Sequence, residues 1–200
     1  HLENITGQFP EIVEGLRTAI RDRDAIVEGE AVPVDANTGE FLPFQEVSRR
    51  RGRKTEVERM AKEFPVTLFT FDCLLREGED LTARPYSERR KALESLVKTA
   101  DGIRHSTIRV TNDVREAEAF FDEALQAGCE GLMAKALASP YEAGARGYQW
   151  IKFKKEYSAA MSDTIDLVVV GAFAGRGKRA GTYGALLMAA YDPKADLFRT

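Results

Sequence analysis

The 200-residue chain is poor in cysteine, with Cys73 and Cys129 alone, and they are too few and too far apart for a disulfide framework or a Cys-x-x-Cys zinc site. Both stand in apolar, strand-like surroundings and read as reduced core residues. No apolar run approaches the roughly 20 residues that cross a bilayer, and no signal-peptide pattern stands at the start, so an intracellular protein without a membrane partner is expected. There is no Gly-x-Gly-x-x-Gly turn for a dinucleotide fold. The glycines at 175, 177 and 181 are not followed by Gly-Lys-Ser/Thr, which excludes a Walker loop. Excess positive charge is missing too: 29 Lys and Arg face 32 Asp and Glu, for a net charge of −3. Net charge averages over faces with different tasks, so local clusters are the better guide to partners.

What is present is alternation of strand and helix patterns. Strands are predicted near 25–34, 67–74, 103–110, 131–134 and 150–153, and helices near 55–64, 87–98 and 113–127. Asp113 and Glu116 have capping-box spacing, and Gly128 suits the residue after a helix end. Two segments place ions inside short apolar strands: Glu130-Gly131-Leu132-Met133-Ala134-Lys135 and Trp150-Ile151-Lys152-Phe153-Lys154-Lys155-Glu156-Tyr157. In the second, alternation puts Trp150, Lys152 and Lys154 on one face and turns Ile151 and Phe153 toward a core. Two ammonium groups about 7 Å apart form a clamp for phosphate oxygens. Glu130 opposite that clamp suits a divalent cation held against a polyphosphate; the plain alternative is a surface salt bridge from Glu130 to Lys135. A basic cluster, Arg49-Arg50-Arg51-Gly52-Arg53-Lys54, and a second basic stretch, Arg176-Gly177-Lys178-Arg179, in an expected hairpin loop, are dense enough to neutralise several backbone phosphates.

EGLMAK followed by WIKFKKEY resembles motifs IV and V of the ATP-dependent DNA ligases, in the style of the archaeal and eukaryotic replicative enzymes. Val27-Glu28-Gly29-Glu30-Ala31-Val32 resembles motif III, and Phe69-Thr70-Phe71-Asp72-Cys73-Leu74 resembles motif IIIa. Leu2-Glu3-Asn4-Ile5-Thr6 is similar to the segment after the nucleotidyl-lysine motif. These motifs keep the family's order and cover nearly the whole chain.

The resemblance implies an α+β fold: an antiparallel-rich nucleotidyltransferase (adenylation) core over 1–157, then a hinge and the first strands of an OB-fold over 158–200. It implies that Phe71 stacks on adenine and that Glu30 approaches the ribose or a metal. Arg146 would contact the nucleotide, Lys152 and Lys154 would bind the α-phosphate, and Glu130 would help Glu30 hold Mg2+. ATP, Mg2+ and nicked duplex DNA are the implied ligands. The basic residues Arg49, Arg50, Arg51, Arg53, Arg176, Lys178 and Arg179 would meet the DNA backbone. A monomer is expected, with a sliding clamp as a further partner through regions outside this chain. The Lys-x-Asp-Gly pattern that carries AMP in the family does not occur, nor does motif VI, so a fragment inactive in isolation is expected. An RNA ligase or capping-type nucleotidyltransferase shares the strands and is the alternative within the chemistry. A noncatalytic nucleic-acid-binding module is the alternative outside it.

Overall fold

The structure is a computed structural model that describes residues 3–22, 24–35, 38–42, 47, 50, 55–144, 148–154, 167–192 and 195–200. The chain divides into two compact units, His1–Lys155 and Glu156–Thr200. It is α+β, and its sheets are mainly antiparallel.

The first unit is built around β2 (Val66–Arg76), eleven residues rich in β-branched and aromatic side chains. On one side β2 pairs antiparallel with β1 (Ala25–Pro33), through register shifts at Ile26/Val27 and Glu28/Gly29. Its end also pairs antiparallel with β3 (Glu79–Asp80), and Leu68 to Thr70 pair in parallel with β4 (Ile103–His105). Against this sheet lie α1 (Pro10–Ala19), begun by a proline whose missing N–H costs nothing at that position and carrying α2 (Val57–Glu63) beside it, and α3 (Tyr86–Leu96). The core gathers Phe9, Ile12, Val66, Cys73, Leu93, Leu96, Val97 and Ile103, so its apolar area comes chiefly from β2, β4, α1 and α3.

The predicted strand over 103–110 stops at His105. The Arg90 guanidinium takes the Ser106 carbonyl at 2.9 Å and the Ser106 hydroxyl at 3.0 Å, which removes that carbonyl from any ladder. The helix α4 (Val114–Gln126) starts at Asp113, whose carboxylate accepts from the Arg115 N–H at 2.7 Å. Glu116 does not close the capping box. It accepts instead from the Thr111 hydroxyl at 2.6 Å, and that hydroxyl in turn accepts from the Asp113 N–H. Gly128 takes the left-handed conformation at the helix end, φ 87°, as its position predicts.

After α4 comes a hairpin of β5 (Gly131–Lys135) and β6 (Trp150–Lys154) in antiparallel register. Gly131 is required by close approach: a Cβ there would meet the Phe153 carbonyl oxygen at 1.9 Å. The second unit is an antiparallel meander of β7 (Val168–Ala174), β8 (Tyr183–Asp192) and β9 (Leu197–Arg199). Cys73 is buried and Cys129 half-buried, both free, and burial raises both thiols.

Candidate active site

Phe71 is half-buried on β2, and three bonds fix it there. The Tyr86 hydroxyl donates to the Phe71 carbonyl at 3.2 Å. The neighbouring Asp72 is fully buried and takes a two-pronged bond from Arg89 on α3, Nε to Oδ1 at 2.9 Å and Nη2 to Oδ2 at 3.0 Å, with both side chains 0 % exposed. Arg89 Nη1 also donates to the carbonyls of Arg84 and Ser139, and Asp72 accepts from the Cys73 N–H, so the buried charges are fully hydrogen-bonded. Ser139 belongs to the turn that follows β5. Leu137 and Ser139 offer carbonyls to the first N–H groups of α3, which ties the β5 hairpin to the central sheet.

The hairpin carries the remaining charges. Register pairs Gly131 with Lys154, Met133 with Lys152 and Lys135 with Trp150, so these six residues share one face. Lys152 is exposed and Lys154 half-buried. The other face departs from expectation. Ile151 and Phe153 do not enter the core; Phe153 is 53 % exposed, because no described element covers that side of the two-stranded sheet.

Glu130 is 81 % exposed at its side chain, and its ion pair is with Lys154 at 3.6 Å, not with Lys135. The register explains this: Lys154 stands across from Gly131, beside Glu130, whereas Lys135 lies at the far end of β5. Glu30 is exposed on β1, and its charge raises the nearby Cys129 thiol after burial has done so. Glu28 is half-buried and accepts from the Tyr141 hydroxyl, a bond that, ahead of burial, pushes the phenol up to about 12. Among the described residues no three His, Cys, Asp or Glu side chains converge as a metal cage. Glu30 and Glu130 are hard oxygen donors of the class that Mg2+ uses, one or two at a time alongside phosphate and water, and in that sense they fit it.

Sequence reasoning named Lys135 only as a surface ion-pair partner for Glu130. Its Nζ lies over the rings of Trp150 at 3.7 Å, Phe71 at 4.5 Å and Tyr86 at 4.6 Å. Burial pushes this ammonium down to about 8; the Asp72 and Glu28 carboxylates oppose that shift, while Arg89 and Arg90 add to it. No local pattern signals this cage, since its rings come from three separate segments.

Arg50 is a correction. It is 1 % exposed, donates to both Glu11 carboxylate oxygens and to the Gln8 and Phe64 carbonyls, and lies over the Phe9 ring at 4.5 Å. A guanidinium so enclosed is a structural tie and has no face for a DNA phosphate. Arg49, Arg51, Arg53 and Arg146 lie outside the described residues. Arg176 and Arg179 are exposed in the β7–β8 loop, on either side of Gly177, in the hairpin where the sequence places them. The Lys178 backbone lies in the same short 3-10 turn.

Residues 1–154 match the family model described as "ATP dependent DNA ligase domain". The chain is 50 % identical to "DNA ligase" of Caldivirga maquilingensis and 52 % identical to "DNA ligase 2" of Thermofilum pendens. Each alignment covers all of this chain and 33 % of the relative, so the chain spans about a third of the length of these curated relatives. Among solved structures, "mycobacterial DNA ligase D complexed with ATP and MES" superimposes with a TM-score of 0.54 at 26 % identity, over 98 % of this chain and 54 % of that one. The ligase domain of LigD from M. tuberculosis gives 0.54 at 25 % identity, over 99 % and 56 %. By the extent of the family match and the identity to its relatives, the chain belongs to the ATP-dependent DNA ligase domain family.

Proposed function

We propose that the full-length protein carrying this chain is an ATP-dependent DNA ligase. It seals a 5′-phosphate to a 3′-hydroxyl at nicks in duplex DNA, through enzyme-AMP and DNA-adenylate intermediates. The observation that supports this most is the junction of two segments: β2, which bears Phe71, and the hairpin, which bears Lys152 and Lys154, are joined through Lys135 and Trp150. A flat apolar ring and a pair of cations are thus held on packed strands, which is what a nucleotide needs for its base and its phosphates.

In this reading Phe71 stacks on adenine, a contact worth about 1–3 kcal/mol in base-stacking sites. Lys152 and Lys154 meet the α-phosphate and stabilise the charge that grows on it as pyrophosphate leaves. Glu30 reaches the ribose or, with Glu130, a Mg2+ ion, and Arg146 contacts the nucleotide. The metal, when bound, supplies neutralisation of phosphate charge. Ion-paired Lys154 is released by the ligand, because an exposed pair with Glu130 is worth only about 0–1 kcal/mol. The nucleophilic lysine is assigned to a part of the protein outside these 200 residues. Arg176, Lys178 and Arg179, with Arg49, Arg51 and Arg53, are assigned to the DNA backbone.

The test is the natural full-length protein incubated with ATP and Mg2+. Gain of the mass of AMP and sealing of a nicked duplex are expected, and RNA joining or cap formation in place of nick sealing would redirect the reading to the RNA enzymes. Lys152→Ala is expected to lower sealing by roughly 10²–10³-fold, the usual cost of losing one oxyanion-stabilising group. Near-normal sealing by that variant refutes the α-phosphate role.

A further inference from the structure

The proposed chemistry assigns Lys135 no task, yet its environment is unusual for a lysine. Its Nζ is enclosed and has no hydrogen-bond partner among the described residues. Three ring faces surround it instead, each from a different element: Phe71 from β2, Tyr86 from the start of α3 and Trp150 from β6. The charged groups that face it from the packed elements are Glu28 on β1, Asp72 on β2, and Arg89 and Arg90 on α3. Neither carboxylate is spare. Asp72 is gripped by Arg89, and Glu28 holds the Tyr141 hydroxyl. A buried donor without an acceptor lowers stability, so apolar packing alone gives no reason for a lysine here. An ammonium, however, has a property that a methyl group lacks: it attracts ring faces and so orients all three rings toward one point.

We propose that Lys135 is a positioning residue, which holds the Phe71 ring and the Trp150 end of β6 in fixed relation so that one nucleotide engages both the aromatic platform and the Lys152/Lys154 clamp. This rests on the nucleotide reading above. Enclosed by three rings, Lys135 acts through them and not on the reacting atoms.

The experiment measures self-adenylation of the full-length protein against ATP concentration for wild type, Lys135→Met and Lys135→Arg. Lys135→Met keeps the volume and removes the charge. Its KM for ATP is expected to rise about 10-fold, the effect of removing one well-formed cation–π interaction, with kcat within about twofold and a melting temperature unchanged or raised. Lys135→Arg, which keeps a cation over the rings, is expected to stay within about threefold of wild type. Trp150→Leu removes the nearest ring and keeps the lysine; it carries the same expected rise in KM and decides the matter if Lys135→Met does not fold. A wild-type KM in the Met and Leu variants overturns the proposal, as does a fall in melting temperature with no change in KM. If wild type itself takes up no AMP, the nucleotide reading fails and this inference fails with it. Wild-type adenylation with unaltered variants sinks this inference alone.

Discussion

At the scale of single residues, two charges in the first unit have opposite characters. Arg89 and Asp72 are buried without solvent and saturate each other and the surrounding carbonyls and N–H groups. Removing one partner strands the other: Asp72→Ala is expected to cost about 3–5 kcal/mol in urea unfolding, far above the effect of any exposed pair. Lys135 is instead enclosed without an acceptor among the described residues, and its pH behaviour follows from that burial. Its folded-state pKa is lowered from 10.5 to about 8 by burial, so between those values the unfolded chain holds a proton that the folded chain has released. Stability therefore rises with pH across that window. The expected signature is a melting-temperature gap between Lys135→Met and wild type that is widest below pH 8 and closes toward pH 10. A gap independent of pH contradicts the burial of this ammonium.

At the scale of elements, the β5–β6 hairpin is the weakest part of the site. Its outer face is open, with Ile151 and Phe153 exposed, and two strands alone bury little apolar area. It holds its place through the backbone bonds of the following turn to α3 and through Lys135 and Trp150. Gly131 is the point where a small change acts most. A methyl group there meets the Phe153 carbonyl oxygen, so Gly131→Ala is expected to force β5 and β6 apart. Its check is hydrogen exchange: the N–H groups of Leu132 and Phe153, which face each other in the β5–β6 ladder, lose protection while those of β1 and β2 keep theirs.

At the scale of the whole molecule, the two units divide labour by their exposed charges. The first holds the residues proposed to bind the nucleotide; the second presents Arg176 and Arg179 on the β7–β8 loop of a meander. If that loop meets duplex backbone, Arg176→Ala together with Arg179→Ala lowers affinity for nicked and intact duplex alike. It also reduces the slope of log K against log salt by about two, one for each phosphate left without its cation. An unchanged slope removes the loop from the DNA interface. The acidic net charge of −3 does not oppose this, since the field at a loop is set by its own cations within a Debye length of about 8–10 Å.

The sequence by itself determined the family and the α+β class, because four short motifs in order are a property of chain order and need no coordinates. The strands near 131–134 and 150–153 were legible too, since two-residue alternation shows which side chains of a strand share a face, but that they pair with each other was decided by the fold. The helix at Asp113 and its end at Gly128 were legible for the same local reason. Tertiary structure alone decided partners. Arg50 and Arg176 each stand in a basic run, yet Glu11 and two carbonyls bury the first and leave the second in solvent. Glu130 finds Lys154 and not Lys135 because strand register, set by the length of the hairpin, puts Lys154 beside it. Ile151 and Phe153 carry the pattern of a core face, but a pattern states only which side is apolar, and whether another layer covers that side depends on what packs there. The Lys135 cage lies furthest from any sequence signal. Phe71, Tyr86 and Trp150 are brought around one ammonium only when β2, α3 and β6 have been assembled, and no spacing along the chain encodes that meeting.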